Sequence, residues 1–133
     1  MSKGALPAIR IALREYKFYI NQAALASLKN PIYLQFLYEN ERKLLAMAGS
    51  TEKKKNSYKI PDRVYRETGD ECCVSRMALT EAFRLRLKWD ERENYRVIGE
   101  FSPNIDMVVF DLTKAVVVNR YEAESSKLCI NIF

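Results

Sequence analysis

Residues 16–28 read YKFYINQAALASL and contain the transition that organises the chain. Apolar and polar residues alternate up to Ile20, which predicts a β-strand with one wet face. Asn21 has a short side chain that can accept a hydrogen bond from a free amide of a first helical turn, so it predicts an N-cap. Asn30-Pro31 predicts the end of the helix. We therefore expect a strand followed by a short helix over residues 22–29.

The alternation continues on both sides of this stretch. Upstream, Ile9, Ile11 and Leu13 alternate with Arg10, Ala12 and Arg14, and a second alternating set begins after Glu15, which predicts extended chain with its basic residues facing water. Downstream, residues 32–38 and 43–47 predict a β-hairpin around the polar turn 39–42.

A similar order of elements recurs in the second half of the chain. Ser75 predicts a second N-cap, and residues 76–89 predict a longer helix. A second hairpin is predicted from residues 95–101 and 107–112. The helix positions repeat at an offset of about 54 residues, which favours an internal duplication of a strand-helix-hairpin unit. The predicted fold class is α+β, with mostly antiparallel strands and two main helices.

The second helix has a broad apolar arc on a helical wheel. Arg86 lies inside this arc, so either its guanidinium extends to water or a carboxylate such as Asp90, four residues away, pairs with it. Thr80, Glu81, Arg84 and Lys88 are expected on the opposite, wet side. The arc consists of Ala78, Leu79, Ala82, Phe83, Leu85, Leu87 and Trp89.

The sequence also predicts a turn at Gly69-Asp70 and strands at 115–118 and 128–133.

The composition predicts one compact domain. The chain has 133 residues, of which 48% are hydrophobic, enough for one core but little for two. Residues 49–57 have no large apolar side chain and contain three adjacent lysines, which is typical of a loop. We therefore expect a single domain over residues 1–133, with halves 1–50 and 58–133 joined by this lysine-rich loop.

The cysteines and the lengths of the apolar segments indicate the cellular compartment of the protein. Cys72, Cys73 and Cys129 are odd in number, and bridges between adjacent cysteines are strained, so we expect reduced thiols. The sequence begins without the apolar region of a signal peptide, and no apolar run is long enough to span a membrane. A cytoplasmic protein without membrane contact is expected.

The residue types exclude several kinds of catalysis. The chain has no histidine, which excludes Ser-His and Cys-His pairs and metal sites that need imidazole. Its four glycines are widely spaced, so no phosphate-cradling loop is predicted. The remaining candidates, carboxylates such as Glu91 and Asp106 and the thiols, fit charged turns and structural cysteines better. We expect no catalytic residue, no metal, no cofactor and no enzyme activity.

Positive charge is concentrated in two segments of a chain with a formal net charge of +5. One cluster lies near the N-terminus and the other around the lysine-rich loop. Such clusters attract a duplex, because contact with phosphates releases counterions, although they also fit a solvated surface with no partner. The predicted nucleic-acid-binding residues are Arg10, Arg14, Lys17, Lys53, Lys54, Lys55, Lys59 and Arg63.

The unit from Tyr16 to Met47 resembles the swapped-hairpin unit of the AbrB and MraZ-type bacterial regulators. The strand end at Ile20, the helix position of Leu28 and the hairpin match that family, whereas its proline and arginine positions are Asn21 and Leu25 here. The resemblance implies two intertwined units that bind DNA through basic residues.

The sequence therefore predicts a small, non-enzymatic DNA-binding or regulatory protein of the bacterial cytoplasm. Its expected partners are double-stranded DNA and, as a homo-oligomer, further copies of itself. The alternative is a protein-interaction or assembly module whose basic surface is incidental. A continuous basic face would favour the first function, and an extended apolar patch the second.

Overall fold

The structure, a computed structural model, describes residues 6–66, 71–118 and 130–131. Over these residues the chain forms ten strands and three α-helices, with 3-10 turns at Leu13–Glu15 and Leu112–Lys114. The elements are β1 (Ala8–Ala12), β2 (Lys17–Ile20), α1 (Gln22–Ser27), β3 (Tyr33–Glu39), β4 (Leu44–Ser50), β5 (Tyr58–Lys59), α2 (Arg63–Arg66), β6 (Cys72–Ser75), α3 (Met77–Leu87), β7 (Asn94–Ser102), β8 (Met107–Asp111), β9 (Val116–Val118) and β10 (Ile130–Asn131).

These strands form one sheet in the order β10-β6-β2-β1-β7-β8-β4-β3-β5, with β9 beside β7. All described pairings are antiparallel except that of β10 with β6. The predicted α+β fold class is confirmed. Both predicted hairpins are present, as β3–β4 and β7–β8.

Strand β7 divides the sheet into two parts. Its first half, Asn94–Ile98, pairs with β1, and its second half, from Gly99 to Ser102, pairs with β8. A Cβ atom at Gly99 would lie 2.6 Å from Phe110 Cε1, so a side chain does not fit at this position. We call the strands β10, β6, β2, β1 and β9 the first part of the sheet, and β8, β4, β3 and β5 the second part.

The two parts enclose one hydrophobic core. Ile11 of the first part and Leu45 of the second are both fully buried and belong to the same cluster. Phe18 and Phe36 meet edge to face, with ring centroids 5.3 Å apart, across the two parts. Both parts therefore contribute to the main core, while a small second cluster of Ala12, Tyr19 and Cys73 lies on the other side of the first part.

The order of elements occurs twice. Strands β1 and β2, helix α1 and the hairpin β3–β4 are followed by β5, β6, α3 and the hairpin β7–β8. Corresponding strands pair with each other, β2 with β6 and β4 with β8. The first strand of each half pairs with the hairpin of the other half, since β1 pairs with β7 and β5 with β3. The two halves are therefore interleaved.

The start of the second helix differs from the prediction. Ser75 is the last residue of β6, where it pairs with Lys17, so its prediction as the N-cap is wrong. Arg76 occupies the N-cap position and makes no side-chain capping hydrogen bond. By contrast, Asn21 caps α1 as predicted, because its side chain accepts from the backbone amide of Ala24.

The buried side of α3 also differs from the prediction. Thr80 is fully buried, and its hydroxyl donates to the carbonyl of Arg76, which satisfies the polar group in the core. Leu85, expected in the apolar arc, is 64% exposed. Arg86 is exposed as well, and Asp90 pairs with Arg92, so of the two alternatives for Arg86 the pair with Asp90 is wrong and the guanidinium extends to water. The core side of the helix runs through Thr80 and Phe83, which rotates Leu85 towards water.

The two adjacent cysteines point to opposite sides of β6, because successive strand residues alternate. Cys72 is a buried thiol in the main core. Cys73 is disulfide-bonded and packs with Ala12 and Tyr19 on the other side of the sheet. The prediction of reduced thiols is therefore wrong for Cys73.

The C-terminal predictions are only partly within the described residues. The strand predicted at 115–118 is present as β9. The turn predicted at Gly69-Asp70 and residues 128–129 and 132–133 lie outside the described residues. None of the described helices has the length and apolar character needed to cross a membrane.

Candidate nucleic-acid interface

The two ends of the curled sheet approach each other at Arg76. The guanidinium Nη1 donates to the hydroxyl of Tyr58 in β5, with a distance of 2.7 Å between the two atoms. The backbone amide of Arg76 donates to the carbonyl of Tyr16, at 2.9 Å, just before β2. We call the place formed by Tyr16, Tyr58 and Arg76 the junction. It connects β5 to the other half of the molecule through a side chain.

The lysine-rich loop leads directly into the junction. Lys54 and Ser57 close a turn, since the amide of Lys54 donates to Ser57 Oγ at 2.8 Å and the amide of Ser57 donates to the carbonyl of Lys54 at 3.0 Å. Gln35 Nε2 donates to the carbonyl of Lys55 at 2.8 Å. The backbone of the loop is thus attached to β3, while the side chains of Lys53, Lys54 and Lys55 are exposed.

Two N-terminal basic residues lie on the other side of the junction. Lys17 is the cross-strand partner of Ser75, the residue before Arg76. Its Nζ lies 3.8 Å from Glu15 Oε1, an exposed pair that stabilises the fold little. Arg14 is exposed in the 3-10 turn that joins β1 to β2. Through Arg76 the segment that contains Arg14 and Lys17 is connected to the strand that follows the lysine-rich loop.

Arg10 has a different environment from the other predicted residues. Its guanidinium contacts Glu71, and its Cζ lies 4.7 Å from the centroid of the Tyr19 ring. The side chain is only 14% exposed. Burial, as the largest cause, raises the pKa of the Tyr19 hydroxyl. Because Arg10 already has an anionic partner, we do not include it in the candidate interface.

Lys59 and Arg63 lie further along the second half. Lys59 is exposed on β5 and points away from the core, opposite Tyr33. Arg63 begins α2 and is partly exposed. Helix α2 is attached to the first half by Gln22, whose Nε2 donates to the carbonyl of Val64 at 2.8 Å.

Sequence reasoning missed Arg76. The sequence predicts Arg76 as the first residue of a helix, whereas its contact is with Tyr58, which lies 18 residues earlier in the chain. A cation placed between a strand and a helix is a weak local signal, because nothing nearby in the sequence identifies its partner. The candidate interface therefore consists of Arg14, Lys17, Lys53, Lys54, Lys55 and Arg76, with Lys59 and Arg63 at its margin.

Several of the described carboxylates form ion pairs or stabilise turns. Glu81 accepts from Arg84 at 2.8 and 3.2 Å, which holds the pKa of that carboxyl below its usual value. Asp111 accepts from the hydroxyl and amide of Thr113, and the pKa of Asp111 is lowered. An open groove of about 510 Å³ beside the 3-10 turn Leu13–Glu15 is lined by charges of both signs. In the parts of the chain that the structure describes, no cluster of three metal-ligating side chains occurs.

No family model matches the chain, and neither a curated protein nor a solved structure matches it. The resemblance to the AbrB and MraZ-type regulators stays a prediction from the sequence pattern. Function therefore has to be argued from the arrangement of the residues.

Proposed function

We propose that the chain is a small, non-enzymatic regulatory protein that binds double-stranded DNA through the basic residues around the junction. The observation that supports this proposal is the contact of Arg76 with Tyr58, because it joins the strand that follows the lysine-rich loop to the residue next to Ser75, the cross-strand partner of Lys17. We infer from this contact that residues far apart in the sequence contribute to one basic surface.

The charges of this surface are available to phosphates. Lys53, Lys54 and Lys55 are exposed and form no ion pair with the residues that the structure describes. The loop backbone is attached through Gln35 and Ser57, so less conformational entropy is lost when the lysines bind than for an unattached loop. Sequence-independent attraction to phosphates is the binding mode that such a surface supports.

Four carboxylates lie near the surface. Glu15 accompanies Lys17, Glu52 precedes the three lysines, and Glu81 and Glu91 line one groove with Arg14. Glu15, Glu52 and Glu91 are exposed, and exposed charges are screened within roughly 8 Å at physiological salt. We therefore expect them to weaken the attraction to DNA without abolishing it.

The test is fluorescence anisotropy with a labelled duplex of mixed sequence at several salt concentrations. Each phosphate contact contributes a slope of roughly −0.9 to log affinity against log salt, so five contacts give a slope of about −4.5. Changing Lys53, Lys54 and Lys55 together to Ala should flatten this slope by up to about 2.7.

A matched control removes the same charge elsewhere. Arg42, Arg86 and Lys114 are exposed on the β3–β4 turn, on α3 and on a 3-10 turn. Their joint replacement by Ala changes the net charge equally and should leave the slope nearly unchanged. Equal effects of the two triple variants, or no binding at low salt, would contradict the proposed interface.

The proposed location is the bacterial cytoplasm, where a DNA-binding regulator acts. The disulfide at Cys73 is unusual for that compartment, because cytosolic thiols are kept reduced. This bond is the described feature that argues most directly against the proposed location.

The alternative function, a protein-interaction or assembly module, has one specific observation in its favour. The second part of the sheet has an outer side rich in apolar side chains, and Leu37 in its middle is 57% exposed. An exposed apolar patch marks an interaction surface more often than a nucleic-acid surface.

A further inference from the structure

Ser57, the last residue of the lysine-rich loop, follows a pair of cations. Lys54 and Lys55 lie three and two positions before it. Ser57 is the only serine or threonine in the sequence that has basic residues at both of these positions. Its hydroxyl group therefore has a charge environment that no other serine or threonine of the chain shares.

Both hydrogen bonds of the Ser57 hydroxyl join it to the backbone of Lys54. Ser57 Oγ accepts from the amide of Lys54 at 2.8 Å and donates to the carbonyl of Lys54 at 2.6 Å. Both bonds are exposed to solvent. An exposed hydrogen bond contributes little net stability, because water replaces the partner that is lost. The hydroxyl can therefore leave Lys54 at a small cost in free energy.

The loop can open while the sheet stays intact. Residues 51–56 are exposed and Ser57 is half-buried, whereas the core residue Ile60 follows only after β5. The hydrogen bond from Gln35 Nε2 to the carbonyl of Lys55, which attaches the loop to β3, is also exposed. Segments held by a few exposed hydrogen bonds open locally more easily than the core does. Ser57 is therefore accessible to an enzyme that binds the loop in an open conformation.

We propose that Ser57 is a phosphorylation site, that its kinase recognises Lys54 and Lys55, and that the phosphate group weakens the attraction of the loop to DNA. Charge complementarity identifies the partner as a serine kinase whose substrate groove is lined by carboxylates. The three lysines of the loop are exposed and form no ion pair with the residues that the structure describes. The modification site rests on these observations alone, whereas the effect on DNA rests on the proposed function.

The reaction transfers the terminal phosphoryl group of ATP to Ser57. Its Oγ forms a bond to the γ-phosphorus, the bond between this phosphorus and the β,γ-bridging oxygen breaks, and ADP leaves. The hydroxyl proton goes to the catalytic carboxylate of the kinase. The modified side chain can no longer donate to the carbonyl of Lys54, and its phosphate oxygens remain acceptors for the amide of Lys54.

The phosphate group changes the charge of the loop. Phosphoserine carries a charge of about −1.5 to −2 at pH 7, so it offsets up to about two of the three lysine charges. Each phosphate contact with a duplex contributes roughly −0.9 to the slope of log affinity against log salt, so the slope should become shallower by up to about 1.8.

Mass spectrometry tests the site after the full chain is incubated with a purified basophilic serine kinase, Mg²⁺ and ATP. The chain should gain one phosphoryl group, and peptide mapping should place it on Ser57. Ser57→Ala should gain none. Joint replacement of Lys54 and Lys55 by Ala should lower kcat/KM for phosphorylation at least about tenfold. Joint replacement of Lys53 and Lys59 by Ala is the matched control, since it removes the same charge from the same segment and should leave kcat/KM nearly unchanged.

Far-UV circular dichroism establishes that these variants are folded. A chain that gains no phosphoryl group, or gains it at another hydroxyl, overturns the modification site. Equal losses of kcat/KM in the two lysine variants overturn recognition through Lys54 and Lys55. None of these measurements involves DNA, so their outcome is independent of the proposed function.

The effect on DNA has its own test, fluorescence anisotropy of the phosphorylated and unmodified chains with the same labelled duplex. The phosphorylated chain should have the shallower salt slope, while Ser57→Ala treated with kinase and ATP should bind as it does untreated. An unchanged slope after complete phosphorylation overturns the effect on DNA. Absence of binding by the unmodified chain overturns this effect together with the proposed function, and the modification site then stands or falls on the mass measurement.

Discussion

Asn21 and Arg76 occupy equivalent places in the two halves of the molecule, yet they reach their partners in different ways. Each follows a central strand, β2 or β6, and each is the N-cap of the next helix. Asn21 binds the backbone at the start of β1, where its side chain accepts from Ala8 and donates to Leu6. Arg76 extends to a side chain of β5, the corresponding strand of the second half.

The difference follows from where the first strand of each half lies. Strand β1 pairs with β2, so the short Asn21 side chain can cap the helix and hold β1 at once. Strand β5 pairs with β3 and not with β6 among the described strands, and only a long side chain spans the gap. The second half thus has a side-chain contact where the first half has backbone hydrogen bonds between paired strands. Because the Arg76 side chain binds Tyr58, it does not cap α3.

The largest effect in this comparison is expected for Asn21→Ala. The substitution removes three hydrogen bonds, from Ala24 and Ala8 and to Leu6. A lost cap costs about 1 kcal/mol and an unsatisfied part-buried amide a similar amount, so the free energy of unfolding should fall by about 2 kcal/mol. Urea unfolding measures this change.

Two further variants make this result specific. Asn21→Asp keeps the acceptor and loses the donor to Leu6, so its effect should be smaller than that of Asn21→Ala. Asn40→Ala, in the exposed β3–β4 turn, should change stability by no more than about 0.5 kcal/mol. A loss below that value for Asn21→Ala would show that the cap does not hold β1.

A smaller effect is expected at the junction. Arg76→Met keeps the aliphatic stem and removes the hydrogen bond to Tyr58, and Tyr58→Phe removes the same bond from the other side. Each should cost about 1 kcal/mol, and the double variant should cost little more than either alone. Additive losses in this double-mutant cycle, measured by urea unfolding, would show that the two side chains do not interact.

The smallest effect appears only at alkaline pH, at the segment that connects β5 to β6. The hydroxyl of Tyr65 in α2 donates to the carbonyl of Pro31, and burial, as the main cause, raises the pKa of Tyr65. The folded state then holds this proton more tightly than the unfolded state, so the stabilisation is present below pH ~10 and is lost as the pH rises further. Because the residue is 37% exposed, solvent screening keeps the effect small.

Urea unfolding at several pH values between about 8 and 11 measures this loss. Tyr65→Phe cannot ionise, so its stability should fall less over this range than that of the wild-type chain. Equal losses in the two proteins would remove Tyr65 as a source of the alkaline dependence.

Local signals account for the elements that the sequence predicted correctly. The two hairpins are predicted by alternating apolar and polar residues on either side of a polar turn. The cap at Asn21 is predicted because its side chain accepts from the amide three residues ahead. Ser75 has the same capping preference, but its pairing with Lys17 makes it part of a strand. Arg86 shows the limit of a helical wheel, because the wheel orders the faces without identifying which one meets the core.

The sequence predicted which basic residues belong to the candidate site, but it did not predict how they are arranged in space. The three adjacent lysines are visible in the sequence, and the structure places them on an exposed loop. Their position relative to Lys17 depends on the pairing of β2 with β6 and on the contact of Arg76 with Tyr58. Such long-range pairings are not encoded in any short segment.

The pairing of β1 with β7 has a consequence for biosynthesis. Ala8 pairs with Ile98 and Ala12 with Asn94, so one edge of the first strand waits for a partner that the ribosome makes about 80 to 90 residues later. At roughly 5 to 20 residues per second, this interval lasts about 4 to 18 seconds. During it, Ile9 and Ile11 lie on an open strand edge of the nascent chain, and the charge of Arg10 between them opposes pairing with another chain.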